Sequence, residues 1–453
     1  MTEAEPQTVA ARAVEGALAA GADDAEAYAS EESSREIRAH GGDVESLTAA
    51  TGRGVGVRAW IGNRVGYGYG TDLSDAGIRA IAARAAEAAA AADEDEFAGP
   101  PRGAGAATAL EGLVDPSVAA WPTERAAALA LAVERAATDA DPRVVGVEQA
   151  VYADATERIA ISSSAGTGGA FEASSCYAYL QALAEGDDGR ETGLGFGLAR
   201  GPDGLDPVAI GSEGAERATA MIGAGKPDSR SCPVVLDPTV AASFVGLLGS
   251  TLGADAVQRG RSPLAGTVGE AVAGEAFVLH DDGLDPAGFA TAPIDGEGLP
   301  RRRTALIDGG RLRTYLYDTY TARRGDTEST ASAGRAGYRS QPSVSSSNLV
   351  VAPGPSAFED LLAEAHGGVW ISDVAGLHSG VNPVSGVFSV GASGRAISGG
   401  ALAEPLREFT IASDLVSMLR AVLAAGSESR WVPFGGSVST PPLLIGEMAV
   451  SGS

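Results

Sequence analysis

The sequence predicts an α+β protein with a smaller α/β domain over 1–225 and a larger, β-rich domain over 226–453 built on antiparallel or mixed sheets. Three observations carry this. The chain of 453 residues is longer than one usual hydrophobic core. Its first half mixes alternating apolar runs with amphipathic helical stretches. Its second half is rich in Gly, Ser and Pro, with many short alternating runs and only two helical interruptions, whereas a doubly wound fold alternates strand and helix.

The elements follow in order. Residues 7–21 have apolar positions at helical spacing and stop at Gly21. Residues 25–31 and 43–50 alternate, and GVGVRAWIGNRVGYGYG (54–70) reads as two strands turning at Gly62-Asn63. Ser74 is placed to cap an alanine-rich helix to about residue 92, with Ile78, Ile81 and Ala85 on one face. Segment 98–108 is Gly, Pro and Ala and reads as a loop. A helix over 124–138 precedes strands at 143–152, 157–163, 169–184 and 191–199, and a helix at about 206–222 closes this half. The polar GAGKPDSRSCP (223–233) marks the domain boundary. A strand then ends at Asp237-Pro238, followed by an apolar helix over 238–254 that reads as buried. Further strands are expected at 275–281, 304–308, 311–317, 347–352, 368–373, 386–391, 395–398, 403–411 and 442–450, with a helix at about 412–424.

The formal net charge of −26 disfavours unspecific binding to nucleic acid or to an anionic membrane, both of which need basic surface. No apolar run is long enough for a membrane-spanning helix. The N-terminus carries early acids and reads as a first helix, not a signal peptide. Cys176 and Cys232 are far apart and adjoin no second metal ligand, so a reducing, cytoplasmic setting is expected.

Most motif-like stretches read as structure. The four histidines, His40, His280, His366 and His378, show no helical ligand spacing. His280, Asp281 and Asp282 are adjacent on a strand end and point to different faces. His378 with Ser385 or Ser389 lacks the nucleophile elbow and a marked orienting acid. In GAGKPDS, Lys226 precedes Pro227 where a phosphate loop needs Ser or Thr. Tyr67 and Tyr69 alternate as one face of a strand. The segment 292–324 is more informative. Asp295-Gly296-Glu297-Gly298 is a tight acidic turn, arginines lead into a strand, and Asp308-Gly309 supplies a hairpin turn. This hairpin is either an internal element or an edge to which a peptide strand can add. Asp295, Glu297 and Arg302, together with Asn382 in GLHSGVNPVSG, are the candidates for holding such a peptide.

Several segments then carry a resemblance: GVGVRAW near the N-terminus, PIDGEGLPRRRTALIDGGRLRTYLYDTYTARR, STASAGRAGYRSQPSVSSSNLVV, SGVNPVSGVFSVGASGRAISGGALAEPLREFTIASDLVSML and PPLLIGEMAVSG. In this order they resemble the TldD/PmbA family of peptidases, also called modulators of gyrase. The likeness is specific over 290–453 and looser before 230. It implies the two-domain α+β architecture already read from the pattern. In the TldD branch the resemblance implies a helix bearing H-E-x-x-x-H, in which two imidazoles bind a metal and the glutamate acts as general base. Here Ala242, Ser243 and Leu247 fall on those positions, with Gly246 before the last, and 233–260 holds neither His nor Glu. The family's C-terminal cysteine ligand is also missing from 426–444. The chain therefore resembles the metal-free TldE (PmbA) branch, which implies no catalytic residue, no cofactor and a TldD-type metallopeptidase subunit as partner in a heterodimer acting on small or unfolded peptides. The alternative is a self-associating homologue, a homodimer recruited as a biosynthetic enzyme or as a peptide-binding module.

Overall fold

The computed structural model describes residues 5–102, 107–187, 189–433 and 436–452. Residues 103–106 of the loop expected at 98–108 lie outside the described residues. Helix α1 (Pro6–Ala19) buries Val9, Ala10, Ala13, Val14 and Ala17, the periodic positions of its sequence. Strands β1 (Asp24–His40), β2 (Asp43–Ile61) and β3 (Arg64–Gly70) follow as long hairpins. The first turn is Gly41-Gly42 at φ +64° and +82°, the left-handed backbone that a two-residue hairpin loop requires. Helix α2 (Asp75–Ala91) starts where the Ser74 hydroxyl accepts from the Gly77 N–H at 3.1 Å. Then come α3 (Ser117–Ala120), α4 (Thr123–Ala140), β4 (Val144–Ser163), β5 (Gly168–Gly186), β6 (Gly189–Ala199) and α5 (Pro207–Thr219).

These six strands form one antiparallel sheet in the order β3-β2-β1-β4-β5-β6. The two runs expected at 143–152 and 157–163 are a single strand. The polar stretch between them stays in the ladder because β1 and β5 pair with it on both sides, and Asp154 is bonded by Arg35 and by the Tyr152 hydroxyl. One face of the sheet carries the helices. Ala25, Ala27 and Ala29 of β1 pack with α1 and α2, while Ile37 and Ala39, on the same side of that strand, pack in the cluster of α4 and α5. The other face near the start of β1 meets the second half of the chain, where Tyr28, Ile159 and Ile161 enclose Ile294.

The second half begins with β7 (Arg230–Leu236), α6 (Pro238–Thr251) and α7 (Ala254–Gln258). It continues through β8 (Leu279–Asp282), β9 (Arg303–Asp308), β10 (Arg311–Leu312), α8 (Thr319–Arg324), β11 (Ala333–Gly334), β12 (Ser343–Val344), β13 (Asn348–Val351) and α9 (Phe358–Glu364). After these come β14 (Val369–Ala375), α10 (Leu377–Gly380), β15 (Val387–Ser398), β16 (Ala401–Asp414), α11 (Leu415–Arg420), β17 (Val422–Ala425), β18 (Arg430–Val432), β19 (Ser437–Thr440) and β20 (Leu443–Ser451). One sheet runs β16-β15-β14-β7-β20-β17, and an added β16–β20 pairing closes five of its strands into a ring. A second runs β10-β9-β8-β13-β19-β18, and β11 pairs with β12 alone. Both larger sheets mix parallel and antiparallel pairs, so the fold is α+β.

Helix α6 inserts into the largest core cluster, with Phe244 against Phe388 at 4.9 Å between ring centroids. The apolar helix expected over 238–254 ends at Thr251, because Gly253 adopts an extended backbone and α7 starts after it. It is not buried on every side: Ser243, Gly246 and Leu247 are half-buried. The strands expected at 275–281 and 311–317 shorten to β8 and β10. Beyond Leu312 the backbone bonds elsewhere, Arg313 N–H to Leu306 O and Leu316 N–H to Leu252 O. The helix expected at 412–424 is only α11, since 422–425 pairs with β20 as a strand. Among the described residues no helix is long and apolar enough to cross a membrane.

Candidate functional site

A cleft of about 630 Å³ lies between the first sheet and the ring of strands. On one side β5, β6 and α5 supply Gln181, Glu191 and Arg217; on the other, α6 supplies Thr239 and Ser243, β14 supplies Trp370 and Asp373, and β15 supplies Arg395. The start of α6 is set locally. Pro238 occupies its first turn, and the Asp237 carboxylate accepts from the Thr239 N–H at 2.9 Å. Asp237 also receives Arg217 from α5 at 3.4 and 3.5 Å, and Arg217 donates to Glu213 at 3.1 Å. Glu213 is bonded again by Arg430, whose guanidinium stacks on Phe196 at 3.9 Å. These ion pairs join α5 of the first half to the ring through Asp237 and to β18 of the other sheet through Arg430.

β14 carries a feature suited to a chain in extended form. Its ladder with β7 ends at Ile371, so Ser372, Asp373 and Val374, which line the cleft, have no strand partner on that side among the described residues. Burial pushes the Asp373 carboxyl above its ordinary value, with Arg217 acting in the opposite sense and Asp237 adding to the rise. The Trp370 indole N–H is buried without a hydrogen-bond partner among the described residues. The cleft thus offers a carboxyl whose charge burial disfavours, beside polar groups, which is binding chemistry.

Hydrolytic machinery on α6 does not fit these residues. Residues 238–251 contain no His, Cys, Asp or Glu. Ser243 lines the cleft, but its hydroxyl bonds the Thr239 carbonyl at 3.0 Å within the helix. Ala242 is fully buried, and Leu247 packs on the core. A catalytic zinc needs three protein ligands and an open position, and no group of three His, Cys, Asp or Glu that could hold a metal occurs among the described residues. His280, with burial lowering its pKa, leaves Nδ1 without a partner among the described residues, while its neighbour Asp281 accepts from Ser347. His366 accepts from the Gly399 N–H at 3.1 Å. Lys226 pairs with Glu408 at 3.0 Å.

Of the four residues expected to hold a peptide, Asp295 and Glu297 share one buried turn, whereas Arg302 and Asn382 are exposed in other loops. Asp295 and Glu297 are each only 2% exposed. Asp295 accepts from the N–H groups of Glu297 and Leu299 at 2.9 Å and of Ala333 at 3.2 Å, tying its own turn to β11. Glu297 accepts from Arg58 of β2 at 3.1 Å and from the Thr319 N–H at 2.9 Å. Arg58 also grips Glu26 of β1, and Arg335 bonds the same Glu26. Arg302 is exposed beside α8 and donates to the Ser329 carbonyl. Asn382 closes an exposed turn, accepting from Val384 and Ser385 N–H groups at 2.9 and 3.1 Å. The hairpin of β9 and β10 does lie at a sheet edge, yet β10 is two residues long. Arg217, Trp370, Asp373 and Arg395 were not marked in the sequence. Only the Pro238 start with its Asp237 cap was a local signal for this place.

Family profiles described as PmbA/TldA metallopeptidase match three segments: domain 1 at 25–89, the central domain at 116–222 and the C-terminal domain at 229–452. The chain is 25% identical over 467 residues to the metalloprotease PmbA homolog of Haemophilus influenzae, covering 100% of this chain and 97% of that one. It is 25% identical over 448 residues to the metalloprotease PmbA of Escherichia coli O157:H7, covering 96% and 94%. A crystal structure from Thermotoga maritima described as a modulator of a DNA gyrase superposes with a TM-score of 0.89 at 25% identity, over 97% of this chain and 99% of that one. TldE from Thermococcus kodakarensis superposes with a TM-score of 0.89 at 20% identity over 97% and 99%, a likeness of fold.

Proposed function

The chain belongs to the PmbA/TldD metallopeptidase family, and from that premise we propose that it is a metal-free, non-catalytic partner subunit, completing a peptide-binding chamber with a TldD-type chain that supplies the metal. The observation that carries this is the cleft beside α6. It has a formed shape and open polar groups, while the helix on which the metal ligands are expected presents Ala242, Ser243 and Leu247. A hydrolase of this kind needs metal-bound water and a nearby base; the cleft supplies hydrogen-bonding groups and the free side of β14 instead. In this reading the role of Ser372–Val374 is to hold small or unfolded peptides as an added strand.

The test is reconstitution. The purified chain alone is expected to leave peptides uncut, and mixing it with the TldD-type protein of its own host is expected to yield a stable complex by light scattering and peptide cleavage that chelators abolish. Substituting Ser243→Ala in this chain is expected to leave that cleavage unchanged. Cleavage by the isolated chain in the presence of chelator would reject the proposal.

A further inference from the structure

We propose that a second, separate cavity, beside α8, binds a small ligand through a carboxylate or phosphate group held by Arg302 and Arg323. This cavity of about 760 Å³ is lined by Arg102, Arg302, Arg323, Thr319, Ser329 and Glu328, among others. It shares no lining residue with the cleft beside α6.

The cations are the first argument. Arg323 is half-buried and spends three N–H groups on carbonyls of the loop after α2, Phe97 at 3.2 Å, Gly99 at 2.8 Å and Pro100 at 2.6 Å. Its Nε–H and one Nη2–H have no protein acceptor among the described residues, and no carboxylate lies within ion-pair distance of it. Burial works against its charge. Arg302 likewise has no ion pair among the described residues and donates only to the Ser329 carbonyl. Arg102 at the rim is already paired with Asp24 at 2.9 Å. Two guanidinium groups in one cavity, neither in an ion pair among the described residues although Glu297 acts on Arg323 from a distance and Glu328 shares the lining, leave forked donors of the kind that match carboxylate and phosphate oxygens.

The second argument is the state of the nearby carboxylates. Thr319 lines the cavity at 8% exposure, but its hydroxyl oxygen is shut off from the cavity and turns toward Glu297, adding to the contacts that keep that carboxyl's pKa low. Neither carboxylate nearby is paired with Arg302 or Arg323 among the described residues. Glu297, behind Thr319, is engaged by Arg58 and the Thr319 N–H, and Glu328 makes no ion pair among the described residues. The overall charge of −26 repels anions, so an anion that binds here does so through local contacts.

The test is calorimetry on the full chain with three probes: inorganic phosphate, a short peptide with a free C-terminal carboxylate, and the same peptide amidated. Binding of phosphate, of the free-acid peptide, or of both supports the site and identifies the source of the oxyanion; the amide is expected not to bind. Arg302→Gln, at an exposed position, is expected to weaken the bound probe about tenfold, the order set by one charge-assisted hydrogen bond. Glu328→Gln is expected to tighten it. Absence of binding by both anionic probes at millimolar concentration would overturn the proposal. So would binding that Arg302→Gln and Arg323→Gln both leave at wild-type strength in variants that melt as wild type.

Discussion

The buried charges between the two halves make the sharpest test of how the fold is held. Glu26 is 0% exposed and Glu297 2%, and each carboxylate has its cation at hand. Arg58 donates to Glu26 at 3.2 and 2.7 Å and to Glu297 at 3.1 Å, and Arg335 bonds Glu26 and the Gly296 carbonyl. Two acids face two arginines, so the set is neutral. Burial alone would raise the Glu297 pKa, but Arg58 and the Thr319 contact hold it below its ordinary value. Replacing Arg58→Met leaves Glu26 with Arg335 but strips Glu297 of its cation. Removing one partner of a buried pair costs about 3–5 kcal/mol. Glu297→Gln keeps the acceptor for Thr319 and is expected to cost less. The double variant restores neutrality, because Glu26 and Arg335 remain. It is expected to be more stable than Arg58→Met alone, with a coupling of about 2 kcal/mol in a double-mutant cycle.

The assay is urea unfolding of the four proteins at pH 7, followed by circular dichroism. The sign with pH is also set. A depressed carboxylate contributes stability above its unfolded pKa and loses it as pH falls through the folded value. Wild type is therefore expected to weaken on acidification more than Glu297→Gln. Additive single effects, or an Arg58→Met cost below about 1 kcal/mol, would refute the account of a neutral buried cluster. A loss of peptide binding in Glu297→Gln at unchanged stability would return that residue to the surface role its sequence suggested.

Four further outcomes are expected. Burial raises the Asp281 carboxyl to about 6, against hydrogen bonds from Ser347. The folded state thus keeps a proton that the unfolded chain releases, and stability is full below the unfolded value near 3.8 and declines by about 3 kcal/mol as pH rises to 6, a slope that Asp281→Asn should flatten. Leu248→Ala, at a side chain 1% exposed on α6, is expected to lower stability by about 3 kcal/mol in denaturant titration. Gly195→Ala would set a Cβ 2.0 Å from the Ile210 carbonyl oxygen, where α5 crosses β6, so its melting temperature should fall by several degrees or the protein should fail to fold. Elemental analysis after dialysis against zinc should find no tightly held metal; about one ion per chain, in a helix without ligands, would contradict the reading of α6.

Features with local causes were legible in the sequence. Period-two alternation marked β2, β3, β5 and β6, the Gly62-Asn63 turn joins β2 to β3, and Ser74 caps α2. What escaped depends on pairing at a distance. β4 looked like two strands because Asp154 to Arg158 is polar, and only the strands on both sides keep it in register. Helix α8 was missed although it has a local signal. Asp318 and Thr321 form a reciprocal capping box, but six residues are too few for an apolar period to register. The strands β17, β18 and β19 are three or four residues each, below the length at which alternation can be read.

The same distinction between local and distant causes explains the two readings of charge. Asp295-Gly296-Glu297-Gly298 read as a tight acidic turn open to a peptide, whereas buried acids need a partner. Glu297's cation, Arg58, lies 239 residues away, and Arg335 lies 309 residues from the Glu26 it bonds, so neither pairing is visible in a short window. The cleft has the same property: Arg217, Asp237, Asp373 and Arg395 meet only after the ring has closed against the first sheet. The lack of metal ligands on α6 differs in kind. A helix that binds a metal through side chains one turn apart carries the requirement in a handful of consecutive residues, so its failure can be read directly from 238–251. Absence of a local motif is therefore firm information in this chain, whereas a charged motif says little until its partner is found. That ordering is why the reading of function rests on α6, and why the arginine cavity beside α8, assembled from residues 102, 302 and 323, had to wait for the fold.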